Sequence, residues 1–292
     1  NFNTYPLVSV IVTFYNSNDT IGEAISSIVF QSYQNWEIIF IDDGSAEDPS
    51  RILKKFSNFK INYIKLEKNY GRGYAYQRGI DNAKGEFVMF LDSDDWWYSS
   101  KMEEQINYML ANNKTNVLGT GIISAENNFP RTVRGNKTMH NIKLSSLEDP
   151  PLAFASICIR KFILIDYRFD EGLTVAQDID FLQFLLMNEH FSNLSNVLYV
   201  YNEYGSFKRQ KMQQAWINRI SSLSKLKNQY PLSFLKQYLV IKFKIYFYDL
   251  LFSLNMERFI LNSRGKKLSL EEHETFKFEY SKLRTTKNKY YI

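Results

Sequence analysis

The chain has a single cysteine in 292 residues, Cys158. That excludes an intramolecular disulfide framework and a cysteine-rich zinc site, and a lone thiol in an apolar segment reads as a small buried hydrophobe. The three histidines, His140, His190 and His273, are scattered at no metal-ligand spacing and read as solvated or packed side chains. No run reaches about 18 uncharged apolar residues, which excludes a membrane-spanning helix, and the first residues lack the basic-then-apolar pattern of an export signal. The expectation is a cytoplasmic protein, peripheral at most to the inner face of the membrane. A GxxxxGKS/T loop is missing, so there is no Walker-type nucleotide site. The glycines of GRGYAYQRG (71–79) lack the GxGxxG spacing after a first strand, which speaks against a Rossmann dinucleotide site. Internal repeats and low-complexity linkers are absent too.

What is present is a core-forming composition, 45% hydrophobic and 16% aromatic. It suits one large α/β domain with an appendage, or two modest domains. The net charge of +5 conceals an asymmetry. Residues 205–292 hold 18 Lys and Arg against 6 Asp and Glu, a balance of +12, whereas the first 204 residues balance at −7. An acidic front and a basic tail suggest two parts with different partners, divided here as 1–205 and 206–292.

The front alternates strand and helix signals. LVSVIVT (7–13) is a continuous β-branched run, too short for a helix. A helix follows, with capping-box spacing from Thr20 to Glu23. WEIIFI (36–41) is the next strand, DPSRILKKFSN a helix with Pro49 in its first turn, and INYIKLE a further strand. A helix near 73–84 and the strand EFVMFL (86–91) complete the series. The pattern predicts a mostly parallel sheet with helices on both faces.

In such sheets ligands lie outside the carboxyl ends of the strands. Three strand ends carry polar residues: Thr13 to Asn16, Asp42-Asp43-Gly-Ser45, and Asp92-Ser-Asp94-Asp95, which puts five aspartates on one rim. Any one of them reads equally well as a helix N-cap, but one helix needs only one cap. Asp-x-Asp at a strand end suits a hard divalent cation, Mn²⁺ or Mg²⁺, carrying a phosphorylated ligand. A phosphatase of the haloacid-dehalogenase type also uses Asp-x-Asp, though after its first strand rather than roughly its fourth.

PLVSVIVTFYN, IDDGS, NYGRGYAYQRGIDNAKGEFVMFLDSDD and QDIDF, in that order from about residue 6 to about 185, resemble the family 2 glycosyltransferases, inverting enzymes of the GT-A fold. The resemblance implies transfer of a sugar from a nucleotide donor, most simply a UDP-sugar, to a hydroxyl of a glycan or lipid-linked glycan in cell-surface polysaccharide synthesis. It implies that Thr13 and Tyr15 line the nucleobase pocket, that Asp43 accepts from the uracil ring nitrogen, and that Asp92 lies near the ribose. Asp94 becomes the metal ligand, Asp95 a sugar contact or a shaper of the site, and Arg72 a diphosphate contact. The family's base is the Asp of a Glu-Asp pair opening a helix, a position held here by Asp178 in VAQDIDFLQFLL, with Gln177 before it and Asp180 as helix-start support.

Some positions depart from the family pattern. Tyr76-Gln77 stands where relatives carry Arg-Asn, and Asn202 and Tyr204 stand where a Tyr-Arg-x-His segment is usual. Lys208 or Arg209 is a candidate replacement for the missing charge. These departures keep open a non-catalytic nucleotide-sugar binder. Trp96 and Trp97 read as packing at the sheet's end, with a sugar-stacking role as the alternative.

The tail from 230 to about Gly265 is helix-favouring, aromatic and lysine-rich. It reads either as a helical extension packed on the catalytic domain or as a platform touching anionic lipid or a lipid-linked acceptor. Dispersed basic residues without a recognisable motif speak against nucleic acid.

Overall fold

A computed structural model describes residues 5–203 and 208–291. The chain runs β1 (Val8–Phe14), α1 (Asn18–Val29), β2 (Trp36–Asp42), α2 (Ser50–Leu53), β3 (Ile61–Lys65), α3 (Arg72–Asn82), β4 (Phe87–Asp92), β5 (Trp96–Trp97), α4 (Lys101–Ala111), β6 (Val117–Glu126), β7 (Phe129–Arg134), β8 (Met139–Ile142), β9 (Cys158–Arg160), α5 (Gln177–Asn188) and β10 (Phe191–Asn202). The tail then adds α6 (Arg209–Ser224), α7 (Pro231–Ser253), α8 (Glu257–Ser263) and α9 (Leu270–Tyr291).

The strands form one mixed sheet in the order β3-β2-β1-β4-β9-β6-β10-β5, with β7 added on β6 and β8 on β10. β3, β2, β1 and β4 are mutually parallel, as are β6 and β10, while the three-residue β9 runs antiparallel between β4 and β6. All residues of β1, β2 and β4 are buried, which is why they read as largely apolar runs rather than alternating ones, with Ser9 and Glu37 paired to each other at 2.7 Å. One layer of helix is seated by Gly79: a Cβ there would stand 2.3 Å from Cγ2 of Ile11, so α3 lies directly on β1.

Several local expectations shift. α1 begins at Asn18 after Ser17, without a side-chain cap, so Thr20 lies inside the first turn rather than at the cap, and Glu23 pairs instead with Asn128 and Lys287. The DPSRILKKFSN segment makes one α-turn and then a 3₁₀ turn at Lys54–Phe56. The tail helix breaks after Ser253, where Asn255 takes φ 55°, and resumes as α8. Cys158 is buried in β9, where burial pushes its thiol up to about 12.

The tail packs at two separate places. α6 and α7 lie against α5 and the segment before β9. There Ser222 donates to Asp180, Arg219 reaches Gln183 and the carbonyl of Glu148, and Leu147, Leu223 and Ile241 form a small core. α9 returns to the first half of the chain. Phe276 and Tyr280 pack on Trp96, Glu279 accepts the Ser99 amide at 2.8 Å, Lys287 pairs with Glu23, and Tyr290 sits on Phe56 and Phe59.

Candidate active site

The site is built where β1, β2 and β4 end together. Their register aligns Phe14 with Asp42 and Thr13 with Asp92, so three loops leave the sheet at one rim. The tight exit of β2 depends on Gly44 (φ 70°), whose place next to the backbone of Lys68 leaves no room for a Cβ.

Four of the rim carboxylates are engaged by the protein itself. Asp42 is fully buried and accepts from the Ser45 amide (2.8 Å) and the Tyr63 hydroxyl (2.9 Å). Asp43 accepts the amides of Tyr70 (2.8 Å) and Gly71 (2.9 Å), while burial pushes its carboxyl above the usual range. Asp92 pairs with Arg72 at 3.2 Å and accepts from the Tyr76 hydroxyl, with Thr13 Oγ1 at 3.5 Å. Asp95 accepts from the Tyr199 hydroxyl (2.6 Å) and the Asn202 amide (2.8 Å), tying the end of β4 to β10. Its burial and the neighbouring Asp94 and Asp92 hold its carboxyl well above the ordinary range.

Asp94 differs. Its side chain is open to solvent yet deeply surrounded by protein, and among the described residues the only hydrogen bond to its carboxylate comes from its own amide. That environment and the neighbouring Asp92 push it up to about 6, against the opposing fields of Arg72 and Lys211. Asp178 is half-buried in the first turn of α5, where a carboxylate complements the helix dipole. It lies within electrostatic reach of Arg72 and Tyr76, and among the described residues no hydrogen bond reaches its side chain. Arg72 thus stands in the fields of Asp92, Asp94 and Asp178 together.

Neither Asp178 nor Asp180 caps α5. The cap position is Ala176, in the left-handed conformation (φ 63°), and Asp180 is buried against Ser222. Tyr15 is 48% exposed just beyond β1, open for a ring to stack on it. Trp96 and Trp97 are buried, so the packing reading holds. His140 stands beside Tyr108, and His190 contacts the Asn141 carbonyl.

Two residues were missed from sequence. Tyr76, noted only as a departure, donates its hydroxyl to Asp92. Lys211 contributes a positive field at Asp94, whereas Arg209 is paired with Asp249 at 2.6 Å. A lysine in the first turn of a helix that follows the last strand was the available signal. Asn202 donates to the backbone carbonyl of Asp94 at 2.7 Å; Tyr204 lies outside the described residues.

Among the described residues no group of three or more His, Cys, Asp or Glu side chains is arranged to hold a metal ion. One free carboxylate in a negative field nonetheless fits a cation whose remaining ligands are water and substrate phosphates.

A sequence model described as Glycosyl transferase family 2 matches residues 9–170. The putative teichuronic acid biosynthesis glycosyltransferase TuaG of Bacillus subtilis (strain 168) is 38% identical over 110 residues, 37% of this chain and 44% of that one. The Escherichia coli UDP-Glc:alpha-D-GlcNAc-diphosphoundecaprenol beta-1,3-glucosyltransferase WfgD is 35% identical over 147 residues, 48% of this chain and 58% of that one. The chain therefore spans about half the length of these relatives. In structure it resembles S. aureus TarS 1-349, with TM-score 0.64 and 22% identity over 96% of this chain and 80% of that one; TarS has also been solved with UDP and with UDP-GlcNAc. With the family pattern matched over more than half its length and a GT-A architecture beneath it, this chain belongs to glycosyl transferase family 2.

Proposed function

We propose that the chain is a metal-dependent, inverting glycosyltransferase that moves a sugar from a UDP-sugar to a hydroxyl of a lipid-linked glycan at the cytoplasmic face, in cell-surface polysaccharide synthesis. The observation that carries this reading is the pair of carboxylates, Asp94 and Asp178, which among the described residues receive no hydrogen bond from any other residue while both lie in the field of Arg72. The UDP complexes of TarS and the lipid-linked acceptor in the WfgD name support the choice of donor and acceptor. Residues 1–205 would form the catalytic domain and 206–292 its helical extension.

In this reading Thr13 and Tyr15 line the nucleobase pocket, with the Tyr15 ring on the base. Asp43, fixed by two amides, keeps lone pairs for the uracil ring N–H. Asp92 orients Arg72 toward the diphosphate and lies near the ribose, and Asp95 shapes the floor beneath the sugar. Asp94 would hold Mn²⁺ or Mg²⁺, which when bound supplies electrostatic stabilisation of the departing nucleoside diphosphate. Asp178 takes the proton from the attacking hydroxyl as the acceptor oxygen displaces the diphosphate from the far side of the anomeric carbon, which inverts the configuration. Such base catalysis contributes about 10²- to 10⁴-fold.

A non-catalytic nucleotide-sugar binder is the second reading, favoured by Tyr76 and Gln77 at positions where relatives carry Arg-Asn. Incubating the protein with UDP-, GDP- and dTDP-sugars and Mn²⁺, without acceptor, separates the two. Slow release of UDP from one donor is expected; tight binding with no release from any donor would leave only the binder.

A further inference from the structure

α7 is apolar all round, and only half of it is covered. Its inward side, with Phe234, Ile241, Ile245 and Tyr248, packs on α6 and the segment around Leu147. The opposite side carries Leu232, Leu235, Leu239, Phe243, Tyr246 and Leu250, each at least half exposed, and the stripe continues to Leu254. A helix with apolar residues on every side belongs in a protein interior or against lipid. Such a stripe in water needs an occupant.

Charge identifies that occupant. Between residues 208 and 256 the chain has nine Lys and Arg and a single acid, Asp249, which is already held by Arg209 and Gln213. The exposed side of α7 itself carries Lys236 and Lys242 and no carboxylate. A second copy of the chain would bring the same lysines to the same face, whereas an anionic headgroup layer supplies the opposite charge. Spacing agrees. From Leu232 to Leu254 the stripe advances by three, four, four, three, four and four residues, about 3.7 per turn. It therefore runs nearly straight along the helix, drifting little from the 3.6-residue turn. A straight stripe roughly 35 Å long suits a flat surface. Among the described residues no helix is long and apolar enough to cross a membrane, so α7 would lie in the plane of one.

We infer that the outward face of α7 is a membrane-docking surface that seats the protein on an anionic bilayer. The apolar stripe enters the headgroup–acyl boundary, and Lys236 and Lys242 rise along their aliphatic stems to the phosphates. The inference does not depend on the proposed reaction. It narrows attachment from the whole basic tail to one helix face, since α9 is occupied by its contacts with the catalytic core.

The experiment is co-sedimentation of the full chain with vesicles of phosphatidylcholine alone and of phosphatidylcholine mixed with phosphatidylglycerol. The wild type is expected to pellet with the anionic vesicles at low salt, to remain in solution with neutral ones, and to release partly as salt rises. Leu235→Gln/Phe243→Gln/Leu250→Gln alters only exposed side chains and should reduce partitioning at least tenfold with an unchanged melting curve. Lys236→Glu/Lys242→Glu should do the same through charge, each lysine being worth roughly fivefold. Wild-type protein that stays in solution with both vesicle types overturns the inference. So does a concentration-dependent dimer that the triple Gln variant converts to monomer without any vesicle binding, which would assign the face to a second copy.

Discussion

The floor of the rim and its lip are made of the same residue type in different circumstances. On the floor, Asp42, Asp43, Asp92 and Asp95 are packed into the protein and accept hydrogen bonds from it. On the lip, Asp94 and Asp178 are reached by charges but, among the described residues, not by donors from other residues. A buried carboxylate without donors is costly, so the floor must be fully bonded to exist, while the lip can stay unbonded only because solvent or ligand completes it. The cluster that looked like one motif divides into carboxylates bonded by other residues and carboxylates left open to the rim.

The largest effect should come from the edge. Asp94→Ala is expected to lower transfer by about 10³-fold and to weaken UDP-sugar binding in Mn²⁺, with binding in EDTA equal to wild type. Near-normal, metal-stimulated turnover in that variant would remove Asp94 from the lip. Next, Asp178→Asn keeps the shape and loses the proton acceptor, so kcat should fall by about 10²-fold or more at unchanged donor affinity. Steady-state kinetics alongside donor titration checks both halves.

A floor residue should behave in the opposite way. Asp95→Ala leaves the Tyr199 hydroxyl and the Asn202 amide without their acceptor and should cost about 2 kcal/mol of stability in urea unfolding, with only a small loss of turnover per folded molecule. Abolished turnover with an unchanged unfolding midpoint would erase the distinction between floor and lip. The smallest effect is expected at Asp180. Burial raises its carboxyl above the ordinary value, so the folded state holds the proton more tightly than the unfolded chain. Stability must then fall as pH rises through the window above about 4. Asp180→Asn keeps an acceptor for Ser222 and should flatten that slope while leaving transfer nearly intact. A variant as pH-sensitive as the wild type would place the titration elsewhere.

Much of the scaffold was legible because its signals are local. The β-branched run of β1, the largely apolar WEIIFI of β2 and the carboxylates that end β2 and β4 report burial on both faces and a shared rim without any partner being known. That a helix follows the QDID segment was legible from the apolar run after Asp180, but its start at Gln177 was not, since the cap is Ala176 rather than either Asp. β9 was not, because three residues, Cys158–Arg160, have no period of their own and owe their conformation to β4 and β6 on either side. The hold of Tyr76 on Asp92 and the field of Lys211 at Asp94 were equally invisible, since each joins residues from different elements. Glu23 shows the same limit in reverse. Its spacing from Thr20 predicts a capping box, but the helix starts earlier, at Asn18, and the carboxylate goes to Asn128 and Lys287.

The contact of α9 with the beginning of the chain also imposes an order of events during synthesis. Trp96, Phe56, Phe59 and the flank of α1 leave the ribosome long before residues 276–290 that cover them. At about 5–20 residues per second, the nascent rim would spend on the order of ten seconds or more with that apolar flank uncovered. Chaperone engagement should concentrate in this interval and end only when α9 emerges and closes over the flank.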